Sequence, residues 1–172
     1  MAMRSELMHA IKHAQSEGFP QSLQMSVWHH GRRIVHIEAG KKFKYFDLAS
    51  VTKILLTTTV AMRSFESGRF KLKARVQDVL GFLEGTPAGK VHLEDLLRHH
   101  SGLAWWRPFY KSLANAKVPV DELKRLFKKE PVHKSRHCVY SDLDFILLGW
   151  IVEELEKTPL DVLARALYQD LK

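Results

Sequence analysis

Phe46-Asp47-Leu48-Ala49-Ser50-Val51-Thr52-Lys53-Ile54-Leu55-Leu56 is the stretch on which the reading of the whole chain turns. After Lys53 the apolar residues Ile54, Leu55, Leu56, Val60, Ala61, Met62 and Phe65 run on to Ser67-Gly68, where glycine supplies a left-handed stop. A helix from about Val51 to Ser67 is predicted, with Ser50 at its first turn. Residues three apart share a helix face and are separated by about 4.5 Å of rise, so the Lys53 ammonium reaches the Ser50 hydroxyl. Such a pair suits an activated nucleophile. The competing reading is a helix-capping serine followed by a solvated lysine. A helix this apolar is expected to be buried on most sides, so Lys53 needs a polar cleft or a partner.

The totals bound what can surround that helix. At 172 residues and 45% hydrophobic content, the chain can form one core or part of a larger one, and its composition is not that of a disordered segment. A net charge of +8 permits association with polyanions. The bases are nevertheless dispersed over Arg32-Arg33, Lys41-Lys42-Lys44, Arg69 to Arg75 and Lys124 to Lys129, without zinc-finger spacing or basic heptads. A solvated basic surface with no specific nucleic-acid partner is expected. Cys138 is the single cysteine, which excludes an internal disulfide. No apolar run approaches the roughly 20 residues that span a bilayer, so no membrane span is expected. Met1 to Ala14 lacks the apolar centre of a secretory leader. The chain as written is expected in the cytoplasm, or in the periplasm had a leader been removed.

Toward the N-terminus, Leu7, Met8, Ile11 and Ala14 mark an amphipathic helix over Ser5 to Ser16, stopped by Gly18 and Pro20. His9 and His13 lie four apart on it, but no further ligand cluster follows, and no metal or cofactor is expected. Gln21 to Glu38 alternates in the manner of a hairpin broken at His29-His30-Gly31-Arg32. Two strands alone are marginal, so the hairpin should join a larger sheet.

Toward the C-terminus the reading is helix and loop. Helices are predicted over His92 to His99, Asp121 to Lys129 and Leu143 to Leu155, with a last one opened by Thr158-Pro159. The Leu143 helix is apolar enough to be largely buried. Leu103 to Lys117 reads as a loop whose Trp105 and Trp106 either plug a junction between packed units or line a cleft that binds substrate.

Three blocks now stand in order: Phe46 to Lys53, then Leu93-Glu94-Asp95-Leu96-Leu97-Arg98-His99-His100-Ser101-Gly102-Leu103, then Val139-Tyr140-Ser141-Asp142-Leu143-Asp144-Phe145-Ile146-Leu147-Leu148-Gly149. Together they resemble the serine β-lactamase-like family, the group of class C β-lactamases, penicillin-binding D,D-carboxypeptidases and related esterases. The resemblance runs from about Gln21 to the C-terminus. It implies an α+β fold of the β-lactamase/transpeptidase type. Residues 1–45 would then supply the N-terminal helix and hairpin of the α/β domain, and residues 46–172 the nucleophile helix and a mainly helical domain. It also implies a serine hydrolase that passes through an acyl-enzyme. Ser50 matches the nucleophile, Lys53 the lysine that shares its proton, and Tyr140 the tyrosine that works with that lysine.

Two departures qualify the match. The family's Tyr-x-Asn reads Tyr140-Ser141-Asp142 here. An ionised Asp142 only accepts hydrogen bonds and favours a protonated Lys53, whereas an asparagine would both donate and accept. Asp142 is a candidate substrate-binding residue and, alternatively, the cap of the Leu143 helix. Nothing after Tyr140 matches the family's third element, Lys-Thr-Gly or His-x-Gly, whose strand supplies an oxyanion donor. Family members are about twice this length, so the C-terminal sheet strands are read as missing from this chain. A C-terminal segment or a second chain is the expected partner that completes the sheet, beside a small-molecule or peptide substrate. The substrate would be a small ester, a D-amino-acid peptide or a β-lactam. The alternative is a non-catalytic family member acting as a binding or partner module.

Overall fold

The computed structural model describes residues 2–133 and 137–169. The chain divides into two compact units between Leu48 and Ala49. In the first, helix α1 (Ala2–Ser16) lies on a hairpin of β1 (Ser22–His29) and β2 (Arg32–Gly40). The strands are antiparallel, with Met25 opposite Ile37 and Val27 opposite Val35, and the register shifts at Val27/Trp28. Alternation puts Val35 and Ile37 on the inner face, where they bury against Ile11, with Leu7, Met8, Leu23 and Met25 packed around them. Among the described residues these two strands form the only sheet.

The second unit is built around α7 (Asp142–Glu156). Leu147, Leu148, Ile151 and Val152 are fully buried, and Leu143 nearly so. An apolar stretch this continuous has no wet face to offer, so other elements wrap it. Those elements are α2 (Thr59–Glu66), α3 (Val76–Val79), α4 (Leu93–Leu97) and α6 (Pro119–Lys129), together with the loops between them. They contribute Val60, Phe70, Val76, Leu83, Leu93, Leu96, Leu103 and Phe127 to one core. Trp150 on α7 meets Phe82 at 5.6 Å and Phe127 at 5.5 Å, both edge to face, as ring quadrupoles prefer. A short α5 (Tyr110–Leu113) interrupts the predicted loop, and Phe109 before it packs on Phe127 at 5.5 Å. Helix α8 (Leu160–Tyr168) closes the chain's described part. Glu156 at the end of α7 accepts from the buried Ser64 hydroxyl and pairs with Arg69 at 2.9 Å, which ties α7 to the end of α2.

The predicted nucleophile helix is present but differs in two ways from the reading of its sequence. Lys53–Thr58 is π-helical, and only Thr59–Glu66 continues as regular α-helix. The wider turn displaces ordinary carbonyl partners. The Thr59 hydroxyl serves the Ile54 carbonyl at 3.0 Å, and the Tyr168 hydroxyl serves that of Leu55. Nor is the helix buried on most sides. Val51, Ile54, Met62 and Phe65 are each at least half exposed, while Thr57, Val60, Ala61 and Ser64 are the residues of the helix that bury. Apolar content alone does not say which face finds a neighbour.

Candidate active site

The start of the nucleophile helix is set by local bonds. The Thr52 N–H donates to the Ala49 carbonyl and the Lys53 N–H to that of Ser50, each at 3.1 Å. Ala49 carries a positive φ of 43°, an uncommon conformation for a residue with a Cβ. The strained turn sits immediately before Ser50.

Lys53 follows one turn later, and its Nζ donates to Ser50 Oγ at 3.1 Å, as the three-residue spacing predicts. The partner that Lys53 requires comes from α7. Nζ donates to Asp142 Oδ1 at 2.7 Å, with the lysine side chain 16% exposed and the carboxylate 42%. The Tyr140 and Phe145 rings lie 5.0 and 5.8 Å from the same ammonium, within cation–π range. Lys53 and Ser50 both act on the Tyr140 hydroxyl, each lowering its pKa. Ser50, Lys53, Tyr140 and Asp142 are therefore one cluster, assembled from two segments 89 residues apart.

Asp142 does not cap α7. The capping residue is Ser141, whose hydroxyl accepts from the Asp144 N–H at 3.3 Å. Asp142 occupies the first helical position, which leaves its carboxylate available to Lys53.

The two titrating partners move in opposite directions. Burial, the largest single influence on Lys53, pulls it down, but the hydrogen bonds and charges of Asp142 and Tyr140 together raise it above an ordinary lysine. Tyr140 is held below an ordinary phenol by Lys53 first and by Ser50 second. Both directions place positive charge on Lys53 and make Tyr140 the easier group to ionise. A protonated Lys53 that donates to Ser50 cannot take the Ser50 proton.

Asp142→Asn tests this electrostatic order. Loss of the carboxylate lowers Lys53, because its raising partner is gone. It also lowers Tyr140 directly, since the Asp142 charge opposes phenolate formation. Both limbs of a bell-shaped acylation profile are expected to move toward acid, with the variant faster than wild type on the acid limb and slower on the alkaline limb. The check is the rate of Ser50 acylation across pH, and superimposable profiles would remove Asp142 from the site.

The remaining sequence-predicted residues are placed less centrally. Trp105 joins the cluster through its main chain, its carbonyl accepting the Asp142 N–H at 2.9 Å. The Trp105 and Trp106 rings are 65% and 41% exposed and lie 5.9 Å apart, so neither plugs the core, a role that falls to Phe109. An open depression of about 360 Å³ beside Lys53 is lined by Ala49, Thr52, Lys53, Thr57, Asp142, Phe145 and Ile146. Another cleft, of about 720 Å³ and lined by Phe82, Lys124, Trp150, Glu153 and Pro159 among others, includes none of the clustered residues.

Sequence reasoning passed over His99, Ser101 and Asp144. Asp144 is completely buried on α7, with Oδ2 2.9 Å from His99 Nδ1 and Oδ1 accepting from Ser101 Oγ at 2.5 Å. The available signal was an acidic residue between Leu143 and Phe145 in an otherwise apolar helix, since a buried acid requires partners.

A serine, a lysine one helical turn on and a tyrosine ring beside that lysine define a Ser-x-x-Lys site within the helical unit. The model of the Beta-lactamase family matches residues 10–167, and the chain belongs to that family. An N-acetylmuramyl-L-alanine amidase of Bacillus subtilis (strain 168) is 32% identical over 140 residues, which is 74% of this chain and 32% of the relative. A putative D-alanyl-D-alanine carboxypeptidase of Escherichia coli (strain K12) is 35% identical over 129 residues, 67% of this chain and 29% of the relative. Among solved structures, a class C β-lactamase from Rhodobacter sphaeroides superposes with a TM-score of 0.69 at 26% identity, over 95% of this chain and 48% of that one. A β-lactamase/D-alanine carboxypeptidase from Pseudomonas syringae gives a TM-score of 0.74 at 21% identity, over 99% and 49%. The fold is thus that of β-lactamases, and the chain spans about a third of these curated relatives and about half of the solved ones.

Proposed function

We propose that this chain carries the nucleophile and proton-transfer groups of a serine hydrolase that works through an acyl-enzyme. The observation that supports it is the convergence of Lys53 Nζ, 3.1 Å from Ser50 Oγ, with a Tyr140 ring 5.0 Å from the same ammonium, whose hydroxyl Lys53 and Ser50 hold below its ordinary pKa. Tyr140 takes the Ser50 proton as Oγ attacks a carbonyl carbon. Lys53, held protonated by Asp142, stabilises the phenolate that precedes this step. Collapse of the tetrahedral adduct expels the leaving group, which receives the proton from Tyr140, and water then hydrolyses the Ser50 ester. The Ser50 main-chain N–H at the helix start supplies one oxyanion donor. Trp105 and Trp106 offer apolar surface to a substrate beside the Asp142 segment.

The substrate class is a small ester, a D-amino-acid peptide or a β-lactam, and the names of the amidase and carboxypeptidase relatives favour a peptide amide. Among the described residues no strand follows Tyr140. The family resemblance implies a second oxyanion donor on a strand that completes the sheet, from a further segment of the protein or a second chain, and lack of one such donor costs roughly 2.7 to 4 kcal/mol of transition-state stabilisation. The same observation favours the second reading, a non-catalytic binding or partner module. Intact mass after incubation with a fluorophosphonate or penicillin decides between them. One adduct per chain, absent in Ser50→Ala, is the expected result. A folded sample that acquires no adduct supports the module.

A further inference from the structure

The segment that carries Tyr140 is tied along its length to the loop after α4. The Val139 N–H donates to the His99 carbonyl at 2.9 Å, and the Ser141 N–H to His99 Nδ1 at 3.2 Å. The Ser141 hydroxyl donates to the Ala104 carbonyl at 2.7 Å. His99 thus grips the chain on both sides of Tyr140, once with its main chain and once with its side chain. A φ of 55° at His99 is what lets one residue present both groups. The imidazole also lies 4.8 Å from the Tyr140 ring and 5.2 Å from that of Phe145. The loop itself is held in place at Gly102. Its φ is +78°, a Cβ there would sit 1.9 Å from the His133 carbonyl oxygen, and its own carbonyl accepts the His133 N–H at 2.8 Å.

Behind the imidazole stands the buried acid. Asp144 Oδ2 is 2.9 Å from the same Nδ1 that accepts the Ser141 N–H, while Ser101 Oγ, donating to Asp144 Oδ1, accepts the Leu103 N–H at 3.0 Å. A ring nitrogen carries either a proton or a lone pair. With a lone pair on Nδ1, Ser141 and a protonated Asp144 both donate to it in a three-centre bond. With a proton on Nδ1, that proton goes to an Asp144 carboxylate and Ser141 loses its acceptor. Burial pushes the Asp144 carboxyl up, against the pull of Ser101 and His99, which is the direction the first arrangement needs.

We propose that His99 is the positioning residue of the site: as the neutral Nε2–H tautomer, backed by a protonated Asp144, it accepts the Ser141 N–H and holds Tyr140 against Lys53 and Ser50. The role rests on Tyr140 as the proton carrier, but the measurements that test it do not all require turnover.

The first measurement uses the unaltered chain. Two-bond proton–nitrogen spectra with ¹⁵N-histidine are expected to show His99 protonated at Nε2 and not at Nδ1, the signal being assigned by its loss in His99→Asn. A proton on His99 Nδ1 overturns the proposal. The second compares two variants that both tolerate the left-handed backbone. Asparagine keeps an acceptor two bonds from Cβ, where Nδ1 was, and is expected to retain the Tyr140 titration, read from ¹³Cζ-tyrosine, and the Ser50 labelling rate. His99→Gly has no acceptor. Its Tyr140 is expected to titrate as an ordinary phenol, with labelling slower by about 10²-fold, the cost of a misplacement near 1 Å. A glycine variant that titrates and labels as wild type does overturns the proposal. Should wild type take no label while the tautomer and the titrations behave as expected, the positioning role stands and the hydrolase reading fails.

Discussion

Lys53→Met is expected to slow acylation of Ser50 by about 10²- to 10⁴-fold, the range that a positioned proton-transfer group contributes, while leaving the fold in place. Methionine approximates the length of the lysine stem and removes the charge. The loss reaches Ser50 by two routes. The donor 3.1 Å from Ser50 Oγ disappears, and Tyr140 loses the neighbour that is the first cause of its lowered pKa. Tyr140 then returns toward an ordinary phenol, and less of it is ionised at neutral pH. Stability should change little, because the partner left behind, Asp142, is 42% exposed and water resolvates it. The time course of adduct mass gives the rate, and a thermal melt checks the fold. A rate close to wild type with an unchanged melt would return Lys53 to the status of a solvated lysine beside a capping serine.

Tyr140→Phe separates the acceptor from the ring that carries it. The phenyl group retains its approach to His99 at 4.8 Å and to the Lys53 ammonium at 5.0 Å, and the side chain is half exposed, so packing is preserved. Only the hydroxyl is lost. Labelling by penicillin is expected to fall by about 10²- to 10⁴-fold. Labelling by a fluorophosphonate should fall less, because fluoride leaves without a proton whereas the β-lactam nitrogen must receive one. Comparing the two reagents on one variant therefore reads both halves of the tyrosine's work. Equal losses would assign Tyr140 to the first proton transfer alone, and no loss with either reagent would exclude it from the chemistry.

These two experiments concern residues that the sequence made legible to different degrees. Ser50 and Lys53 were readable as a pair because their contact is local: three residues along a helix bring two side chains together whatever surrounds them. The apolar run from Leu143 was readable for a similar reason. So many apolar residues in succession require burial, and α7 lies at the centre of the core. The hairpin followed from alternation broken at His30-Gly31, both of which have positive φ. Tyr140 entered through its position in an ordered set of blocks, not through any local property.

Other features depended on which surfaces meet. The apolar residues of the nucleophile helix were expected inside, yet Ile54, Met62 and Phe65 face outward while Thr57 and Ser64 are buried, Ser64 against Glu156 of α7. Residue type predicted the reverse for several of these positions. The π-helical turn over Lys53–Thr58 has no sequence signature of its own, and its displaced carbonyls are served by Thr59 and by Tyr168 from α8. Asp142 was an equally good cap by type. Ser141 takes that place because its hydroxyl also reaches the Ala104 carbonyl, a contact that exists only once the loop after α4 is folded against it.

The sequence by itself determined the local chemistry of this protein: a serine and a lysine on one helical turn, a helix that must be buried, and a tyrosine block in the right order. Only the tertiary structure decided what that chemistry works against. Packing α7 beside the nucleophile helix brings Asp142 to 2.7 Å from Lys53 across 89 residues and raises the lysine's pKa above its ordinary value, while Lys53 and Ser50 lower that of Tyr140. The same packing buries Asp144 and aims it at His99. Spacing along the chain governs contacts within a turn. Charge state depends on the neighbours a side chain acquires and the water it loses, and both are settled only when distant segments meet.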